Sequence, residues 1–260
     1  MRESDKIDII IKSYMRFDVV RDLVASIREH YPHNRIIVGD DSESFDPNTK
    51  NELEDMDVEI HELHPHTGLS AGRNYMVKQV KSEYFLNSDD DHLILDKMFL
   101  DKMLDSAKRH KATINSASVS DGPGNHWFGH FTIEDNVLFR NFYKTDLKEF
   151  QVRFCPNFFI GKTDDFHKNN LQWDERLKLG EHDDFFLRMP SNLKVFHLRE
   201  SLIRRSHNRE SNPEYNKKRW DRMKVFRKIV REKYGFRADP ENRQIEHHGE
   251  KPPTVPMRLI

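Results

Sequence analysis

Strand-like apolar runs and amphipathic helical patterns alternate over the first hundred residues of the chain. The apolar runs lie at residues 7–11, 35–38, 58–60 and 84–86, and helical patterns separate them, the clearest at 17–30. Strands joined by single helices pair in parallel, because each helix carries the chain back across one face of the sheet. The sequence therefore predicts an α/β fold with a mostly parallel, doubly wound central sheet.

Two of these strands end in aspartates. Asp40 and Asp41 follow the second run, and Asp89, Asp90 and Asp91 follow the fourth. Ligands of open α/β sheets bind beyond the carboxyl ends of the strands, so the two groups can converge on one site. Three adjacent carboxylates repel one another unless a cation lies among them, and hard divalent ions prefer oxygen ligands. Because Mg²⁺ and Mn²⁺ usually bridge carboxylates to a substrate's phosphates, the cluster indicates an enzyme with a phosphorylated donor.

The second half of the chain is less regular. Its patterns predict helices at 96–110 and 181–188 and strands at 112–119, 137–143, 150–154, 158–160 and 194–198. We expect one domain at 1–236, with a nucleotide-binding half at about 1–110, an acceptor half at about 111–210 and a basic helix at 214–234. Residues 237–260 contain four prolines and are expected to form an extended or disordered tail.

Charge is segregated along the chain. The net charge is -1, yet residues 201–237 carry 13 Lys and Arg against four Asp and Glu. The basic helix at 214–234 is either packed on the domain with a solvated basic face or docked on anionic lipid beside a lipid-linked acceptor. No nucleic-acid-binding motif accompanies this helix, so nucleic acid is not an expected partner.

Several features bear on localisation. No apolar run approaches the ~20 residues of a membrane span, and the charged residues 1–6 are not typical of a signal peptide. The single cysteine, Cys155, fits a reducing compartment. We expect a cytoplasmic protein, peripheral to a membrane if the basic helix docks there, and whether an anchor precedes residue 1 stays open.

Three further segments contain residue types that suit a phosphate and sugar site. Residues 68–74 place small residues and Arg73 at a helix start, where the backbone can approach a diphosphate, although an ordinary loop-to-helix junction has the same composition. Residues 181–184 offer a general base or form a solvated acidic first turn. His207 is either a ligand for a transition metal or a structural histidine.

Together these segments resemble glycosyltransferases of the family 2 type with the GT-A fold. Strand-end aspartates, the 68–74 segment, an Asp-x-Asp motif, an acidic helix start and a late histidine follow one another in that family's order. More narrowly, residues 68–74, 83–86 and 173–186 look like those of the β-1,4-N-acetylgalactosaminyltransferases. The resemblance covers about residues 7–207 and implies a Rossmann-like domain with flanking helices.

The resemblance implies a role for each segment. Asp41 would contact the uracil and Asp90 the ribose of a UDP-sugar, while Arg73 would face its diphosphate. Asp91 and His207 would ligate Mn²⁺ or Mg²⁺, and the reaction would be a single displacement with inversion. The other residues expected to border the UDP-sugar are Asp40, Gly72, Asp89 and the aromatic platforms Trp127 and Trp173, which could equally be core residues.

The general base is the open question within this resemblance. Inverting relatives often have Glu-Asp where this chain has Glu181 and His182, and the Asp is their base. His182 thus stands at the base position, whereas Asp184 matches an acidic position of the galactosaminyl enzymes. We expect Asp184 or His182 to be the base, ahead of Glu181 and then Asp183.

These observations predict a metal-dependent, inverting glycosyltransferase. It would move a hexose or N-acetylhexosamine, with GalNAc as the best guess, from a UDP-sugar to a hydroxyl of a glycan or glycolipid. The alternative is a catalytically silent module of the same fold that binds nucleotide-sugar or glycan without transfer. A nucleotidyltransferase fits less well, because residues 12–16 lack a Gly-rich loop after the first strand.

Overall fold

The first half of the chain alternates strands and helices. The computed structural model describes residues 2–44, 46–120, 127–206, 213–238 and 245–248. After a 3-10 helix at Glu3–Lys6, the elements are β1 (Asp8–Ser13), α1 (Phe17–Arg28), β2 (Ile36–Asp40), α2 (Pro47–Asp55), β3 (Val58–Glu62), α3 (Leu69–Gln79), β4 (Tyr84–Asp89), β5 (His92–Ile94) and α4 (Phe99–His110). The predicted alternation is confirmed, and β5 is an addition to it.

The second half contains more strands and shorter helices. They are β6 (Ile114–Ser120), β7 (Gly129–Glu134), β8 (Val137–Lys144), β9 (Glu149–Val152), β10 (Phe159–Lys162), α5 (Thr163–Lys168), α6 (His182–Arg188), β11 (Val195–Arg205), α7 (Pro213–Tyr234) and β12 (Ile245–His248). Four of these, β7, α5, the second half of β11 and β12, were not predicted from the sequence.

Nine strands form one central sheet in the described residues. Their order is β3-β2-β1-β4-β10-β6-β11-β5, with β9 also paired to β11. β1, β2, β3, β4, β6 and β11 run in one direction, and β5, β9 and β10 run in the other. The sheet is therefore mostly parallel, as predicted, with an antiparallel strand inserted between β4 and β6.

The apolar run of β1 is continuous because helices cover both faces of the sheet. Ile9 and Ile11 pack into one hydrophobic cluster with α1 and α4, whereas Ile10 packs into the other with Met76 and Val77 of α3. All three isoleucines are fully buried. A strand buried on both faces has no polar alternation, which is the pattern of residues 7–11.

A smaller sheet lies outside the central one. It has the order β12-β8-β7, and β12 pairs in parallel with β8. β12 comes from the predicted tail at 237–260, whose residues 239–244 and 249–260 lie outside the described part of the chain. None of the described helices combines the length and the apolar composition that crossing a bilayer requires.

Candidate active site

A cavity of about 680 Å³ opens at the carboxyl ends of the parallel strands. Five strands of common direction each bring a residue to its wall at the strand end, namely Ser13, Asp41, Asp89, Val119 and Arg205. α6 and α7 form other parts of the wall. Both groups of strand-end aspartates therefore contribute to one cavity, at the edge of the sheet where α/β proteins bind their ligands.

Asp41 is fixed in the cavity wall by two donors. Lys12 of β1 forms a buried ion pair with one carboxylate oxygen, and the backbone N–H of Gly68 donates to the other at 2.6 Å. Lys12 passes close to Gly72, where a Cβ would overlap the lysine side chain. Gly72 therefore supports the site by leaving room for Lys12 and does not itself line the cavity.

Each aspartate of the triple motif lies near a guanidinium group. Arg16 donates two hydrogen bonds to Asp90, one from Nε at 3.0 Å and one from Nη2. Its Nη1 lies 3.8 Å from Asp91 Oδ2. Arg73 donates to Asp89 Oδ1 at 2.6 Å. These cations lower the repulsion among three neighbouring carboxylates, which the sequence alone presented as an unbalanced cluster.

Arg73 links the triple aspartate to the segment at 181–184. It is 1% exposed, and besides Asp89 its guanidinium pairs with Glu181 and lies 5.6 Å from the Trp173 ring. Burial alone would lower the pKa of Arg73, but the charges of Glu181 and Asp89 outweigh it and raise that pKa. A permanently charged guanidinium is thus enclosed at the floor of the cavity.

Asp89, Asp91 and His92 form a group with the composition of a metal site. One ligand atom from each lies within 4.8 Å of the others, and Ser88 Oγ contacts His92 Nδ1 at 3.0 Å. Two carboxylates and an imidazole suit Mn²⁺, and the carboxylates also suit Mg²⁺, so the residues present fit the expected ion. His92 was not predicted, although it directly follows Asp91, and the predicted ligand His207 lies outside the described residues.

The acids at the start of α6 are neutralised by basic side chains. Glu181 is buried against Arg73. Asp183 accepts two hydrogen bonds from Arg140 of β8, one from Nε at 2.9 Å and one from Nη2. Each of these two carboxylates is therefore engaged in an ion pair with an arginine.

Asp184, ranked jointly first as the base from sequence, does not line the cavity. It is 0% exposed, and it accepts hydrogen bonds from Arg188 Nε at 2.8 Å, Lys233 Nζ at 2.6 Å and the Tyr234 hydroxyl at 2.9 Å. Lys233 and Tyr234 belong to α7. Asp184 therefore anchors α7. Two residues after His182 on the same helix, it faces the core and not the cavity.

His182 lies at the cavity among aromatic rings. Its Nδ1 is 3.0 Å from Asn157 Oδ1, and its ring centroid lies 5.4 Å from Trp127 and 5.1 Å from Phe186. Within the described residues its Nε2 has no hydrogen-bond partner. Asn157 therefore contacts Nδ1, and Nε2 remains able to accept a proton.

Burial sets the charge state of His182. It lowers the pKa of His182 below the ordinary value of 6.5, and the negative charges of Asp183 and Glu181 oppose this only in part. Their influence is reduced because Arg140 and Arg73 neutralise them. The imidazole is therefore neutral at neutral pH, the form that accepts a proton.

Two further predicted residues lie behind the cavity wall. Asp40 is fully buried and its Oδ1 accepts a hydrogen bond from Ser42 N at 2.7 Å, which closes the turn after β2. Trp173 is 2% exposed and stacks on Phe185 with ring centroids 4.5 Å apart. The prediction of Trp173 as a sugar platform therefore gives way to core packing, the alternative open from sequence.

Trp127 and α7 complete the wall. Trp127 is half-buried, borders the cavity and has the Arg140 guanidinium 5.4 Å from its ring centroid. α7 contributes Arg222, Met223, Phe226 and Arg227. Their place at the cavity was not predicted from sequence, because an apolar stripe within a basic helix also fits plain packing on the domain.

Known proteins resemble this chain in sequence. The family described as glycosyl transferase family 2 matches residues 8–169. Beta-1,4 N-acetylgalactosaminyltransferase 1 of Rattus norvegicus is 29% identical over 209 residues, which cover 73% of this chain and 37% of the rat protein. Beta-1,4 N-acetylgalactosaminyltransferase 2 of Mus musculus is 32% identical over 113 residues, 44% of this chain and 21% of that protein. The chain thus spans about a third of the length of these curated relatives or less.

A solved structure shares the fold. The crystal structure of S. aureus TarS 1-349 in complex with UDP-GlcNAc superposes with a TM-score of 0.60 at 17% sequence identity, covering 77% of this chain and 58% of that one. At this identity the likeness extends to the fold, which is GT-A, and not to the ligand.

Proposed function

The chain belongs to glycosyl transferase family 2, and from this premise we propose that it transfers a hexose or N-acetylhexosamine from a UDP-sugar to a hydroxyl of a glycan or glycolipid. The observation that carries the proposal is the meeting, in one cavity, of a potential metal group at Asp89, Asp91 and His92 with a neutral imidazole at His182. The rat relative's name favours UDP-GalNAc as the donor.

In this proposal the nucleotide lies along the strand ends. Asp41 contacts the uracil and Asp90 the ribose, each held in place by its own cation, Lys12 or Arg16. Trp127 offers an apolar face to a sugar ring, since the C–H faces of sugars stack on aromatic side chains. Asp40 and Gly72 act from behind the wall, through the turn after β2 and through Lys12.

Asp89, Asp91 and His92 would hold the metal ion, with His207 as a further predicted ligand. When bound, a divalent ion stabilises the negative charge that develops on a leaving diphosphate. Arg73 contributes a fixed positive charge at the same end of the cavity, because it contacts Asp89 directly. This end of the cavity therefore serves the leaving group.

His182 is the base that we propose on the acceptor side. Its Nε2 takes the proton of the acceptor hydroxyl while that oxygen forms the new bond to the anomeric carbon, and the bond to the UDP oxygen breaks. Attack from the face opposite the leaving group inverts the anomeric configuration. Glu181 and Asp183 are tied to arginines and Asp184 to α7, which leaves His182 as the group of this segment suited to the role.

The function can be tested with a panel of UDP-sugars. We expect release of UDP that requires Mn²⁺, is abolished by a chelator and is fastest with UDP-GalNAc when an acceptor hydroxyl is supplied. Asp91→Asn serves as the inactive control. No release from any donor, with or without acceptors, would instead indicate a silent module that binds nucleotide-sugar or glycan.

The exposed face of α7 supports a second proposal, peripheral contact with an anionic membrane surface. Its exposed residues include four cations and Val225, which is 58% exposed. The cations are Arg222, Lys224, Arg227 and Lys228. Clustered Lys and Arg attract anionic headgroups, and a docked α7 would bring the cavity next to a lipid-linked acceptor.

Lys224→Glu with Lys228→Glu tests this contact without touching the cavity wall. We expect the double variant to lose binding to vesicles that contain phosphatidylserine, and wild-type binding to weaken as salt is raised. Reversal of the exposed Lys97 and Lys111, which lie just before and just after α4, is the matched control. Wild-type binding that is indifferent to salt and to anionic lipid would exclude the contact.

A further inference from the structure

Asn157 is held rigidly beside His182. It lies two residues before β10, and its backbone carbonyl accepts a hydrogen bond from Asn87 Nδ2 of β4 at 3.0 Å. The following residue, Phe158, is fully buried. The Asn157 side chain therefore projects from a fixed backbone, and its Oδ1 lies 3.0 Å from His182 Nδ1.

A carboxamide oxygen at this position controls which ring nitrogen carries the proton. The oxygen can only accept a hydrogen bond, so the Nδ1 that it contacts must be the N–H donor. A neutral imidazole has one N–H, and its Nε2 then keeps the lone pair. The opposite arrangement would place a proton on Nε2 and remove its ability to act as a base.

We propose that Asn157 is a positioning residue that holds His182 in the tautomer with its proton on Nδ1, so that Nε2 faces the reaction as the acceptor of a proton. This inference rests on the proposed function of His182 as the base. In the transfer step the O–H bond of the acceptor breaks and an N–H bond forms at Nε2. The resulting imidazolium later releases that proton to solvent, and Asn157 remains bonded to Nδ1–H throughout.

A neutral partner has a further consequence for the charge of His182. The charged groups around the ring are Asp183 on α6, Glu181 just before α6 and Asp89 on β4, together with Arg73 on α3. The acids are bound by arginines, and the partner at Nδ1 is an uncharged amide. No unpaired carboxylate among the described residues contacts the ring to stabilise the imidazolium, so burial keeps the pKa of His182 low.

Asn157→Asp separates the two effects of the amide. The carboxylate still accepts from Nδ1–H, so the tautomer is retained, but its charge stabilises the imidazolium. We expect the acid limb of the kcat/KM profile to move to higher pH by about one unit or more, as for ionisable groups that gain an opposite charge in contact. Asn157→Ala loses the orienting bond, and we expect kcat to fall about ten- to a hundredfold.

The decisive readout is the ¹⁵N spectrum of the His182 ring, recorded without donor or acceptor and assigned with His182→Gln. We expect Nδ1 protonated and Nε2 unprotonated in the wild type and in Asn157→Asp, and a mixture of tautomers in Asn157→Ala. Asn170→Asp, which adds the same charge at an exposed site, should change neither the spectrum nor the pH profile.

A wild-type spectrum with the proton on Nε2 would overturn the inference, whether or not any variant folds. An unshifted titration of His182 in folded Asn157→Asp would do so as well. Because the spectrum needs no substrate, it can fail while UDP-sugar transfer is found. It can equally succeed while no donor is turned over, which separates this inference from the proposed function.

Discussion

The two ends of the cavity differ in how fully basic side chains neutralise their acids. At the strand ends, Asp89 and Asp91 gather with His92 into a group of metal-ligand type. At the start of α6, Glu181 and Asp183 are each neutralised by an arginine. Arg16 and Arg73 offset part of the charge of the three strand-end aspartates, and the remaining negative charge favours a cation there. At the start of α6 each of the two acids is paired.

This difference suits a histidine at the position where the resemblance in sequence led us to expect an aspartate. A carboxylate base needs a polar or positively charged environment to stay ionised, whereas an imidazole base must stay neutral. With its acidic neighbours paired, burial lowers the pKa of His182 and keeps the ring unprotonated. Arg73 connects the two ends, since it contacts both Asp89 and Glu181.

Among substitutions in the part of the cavity formed by the strand ends, the largest expected effect is at the metal group. Asp91→Asn removes a charged ligand, and the loss of several kcal/mol of transition-state stabilisation corresponds to about a thousandfold in kcat/KM. Initial rates of UDP release over a range of Mn²⁺ concentrations measure it. Asp146→Asn, at a fully exposed carboxylate, is the control. A variant that keeps a tenth of wild-type activity would show that this end does not bind the ion.

Arg73 is the next test, because it joins the two ends. Arg73→Met leaves Glu181 buried without its partner, and we expect the free energy of unfolding to fall by about 3–5 kcal/mol. Arg73→Lys keeps the charge but not the fork of donors, so its loss should be smaller. Urea unfolding monitored by tryptophan fluorescence gives both values. Equal stability of the Met variant and the wild type would mean that the buried bridge is not formed.

Asp184→Asn should act on α7 and not on the chemistry. The amide keeps the shape but loses the charge that binds Lys233 and Arg188, which can turn to water, so we expect about 2 kcal/mol of destabilisation. Hydrogen exchange across residues 222–238 should accelerate, while exchange in the central sheet should stay unchanged. Unaltered exchange in α7 would contradict the assignment of Asp184 as its anchor.

The smallest effect concerns stability and pH. Because the pKa of His182 is lowered in the folded state, the unfolded chain binds the additional proton between that value and about 6.5. His182 therefore contributes a loss of stability as pH falls through this window and none above it. Urea unfolding at pH 7.5 and 5.5 should show a smaller decrease for His182→Gln than for the wild type. An identical decrease would mean that His182 is not buried in its neutral form.

The first half of the fold was predictable because its signals are local. Residues 7–11 and 84–86 are apolar enough to specify strands buried on both faces, and α1 has a clear apolar stripe. β5 and α5 are too short to show a period. β11 continues through Arg199, Glu200, Arg204 and Arg205, whose charges are untypical of a strand. Its pairing with β6 and β5 supports that continuation, and such distant partners leave no trace in a local pattern.

The same distinction applies to the site. The strand-end aspartates could be identified from the sequence because the apolar runs that precede them could be recognised as strands. Arg16 and Arg140 pair with acids 74 and 43 positions away, so nothing in the sequence marked them. Asp184 did have a local signal, because Arg188 follows it by four residues on the same helix face, the spacing of an ion pair. That spacing favours a structural role over the role of a base.

The comparison of His182 with its two acidic neighbours tests the assignment of the base most directly. The measurement is kcat for transfer, with the donor affinity determined separately, in His182→Ala, Asp183→Asn and Asp184→Asn. We expect His182→Ala to lose about 10²–10⁴ in kcat with donor affinity unchanged, and each neighbour to lose less than about tenfold. A small loss in His182→Ala beside a large loss in Asp183→Asn or Asp184→Asn would contradict the assignment.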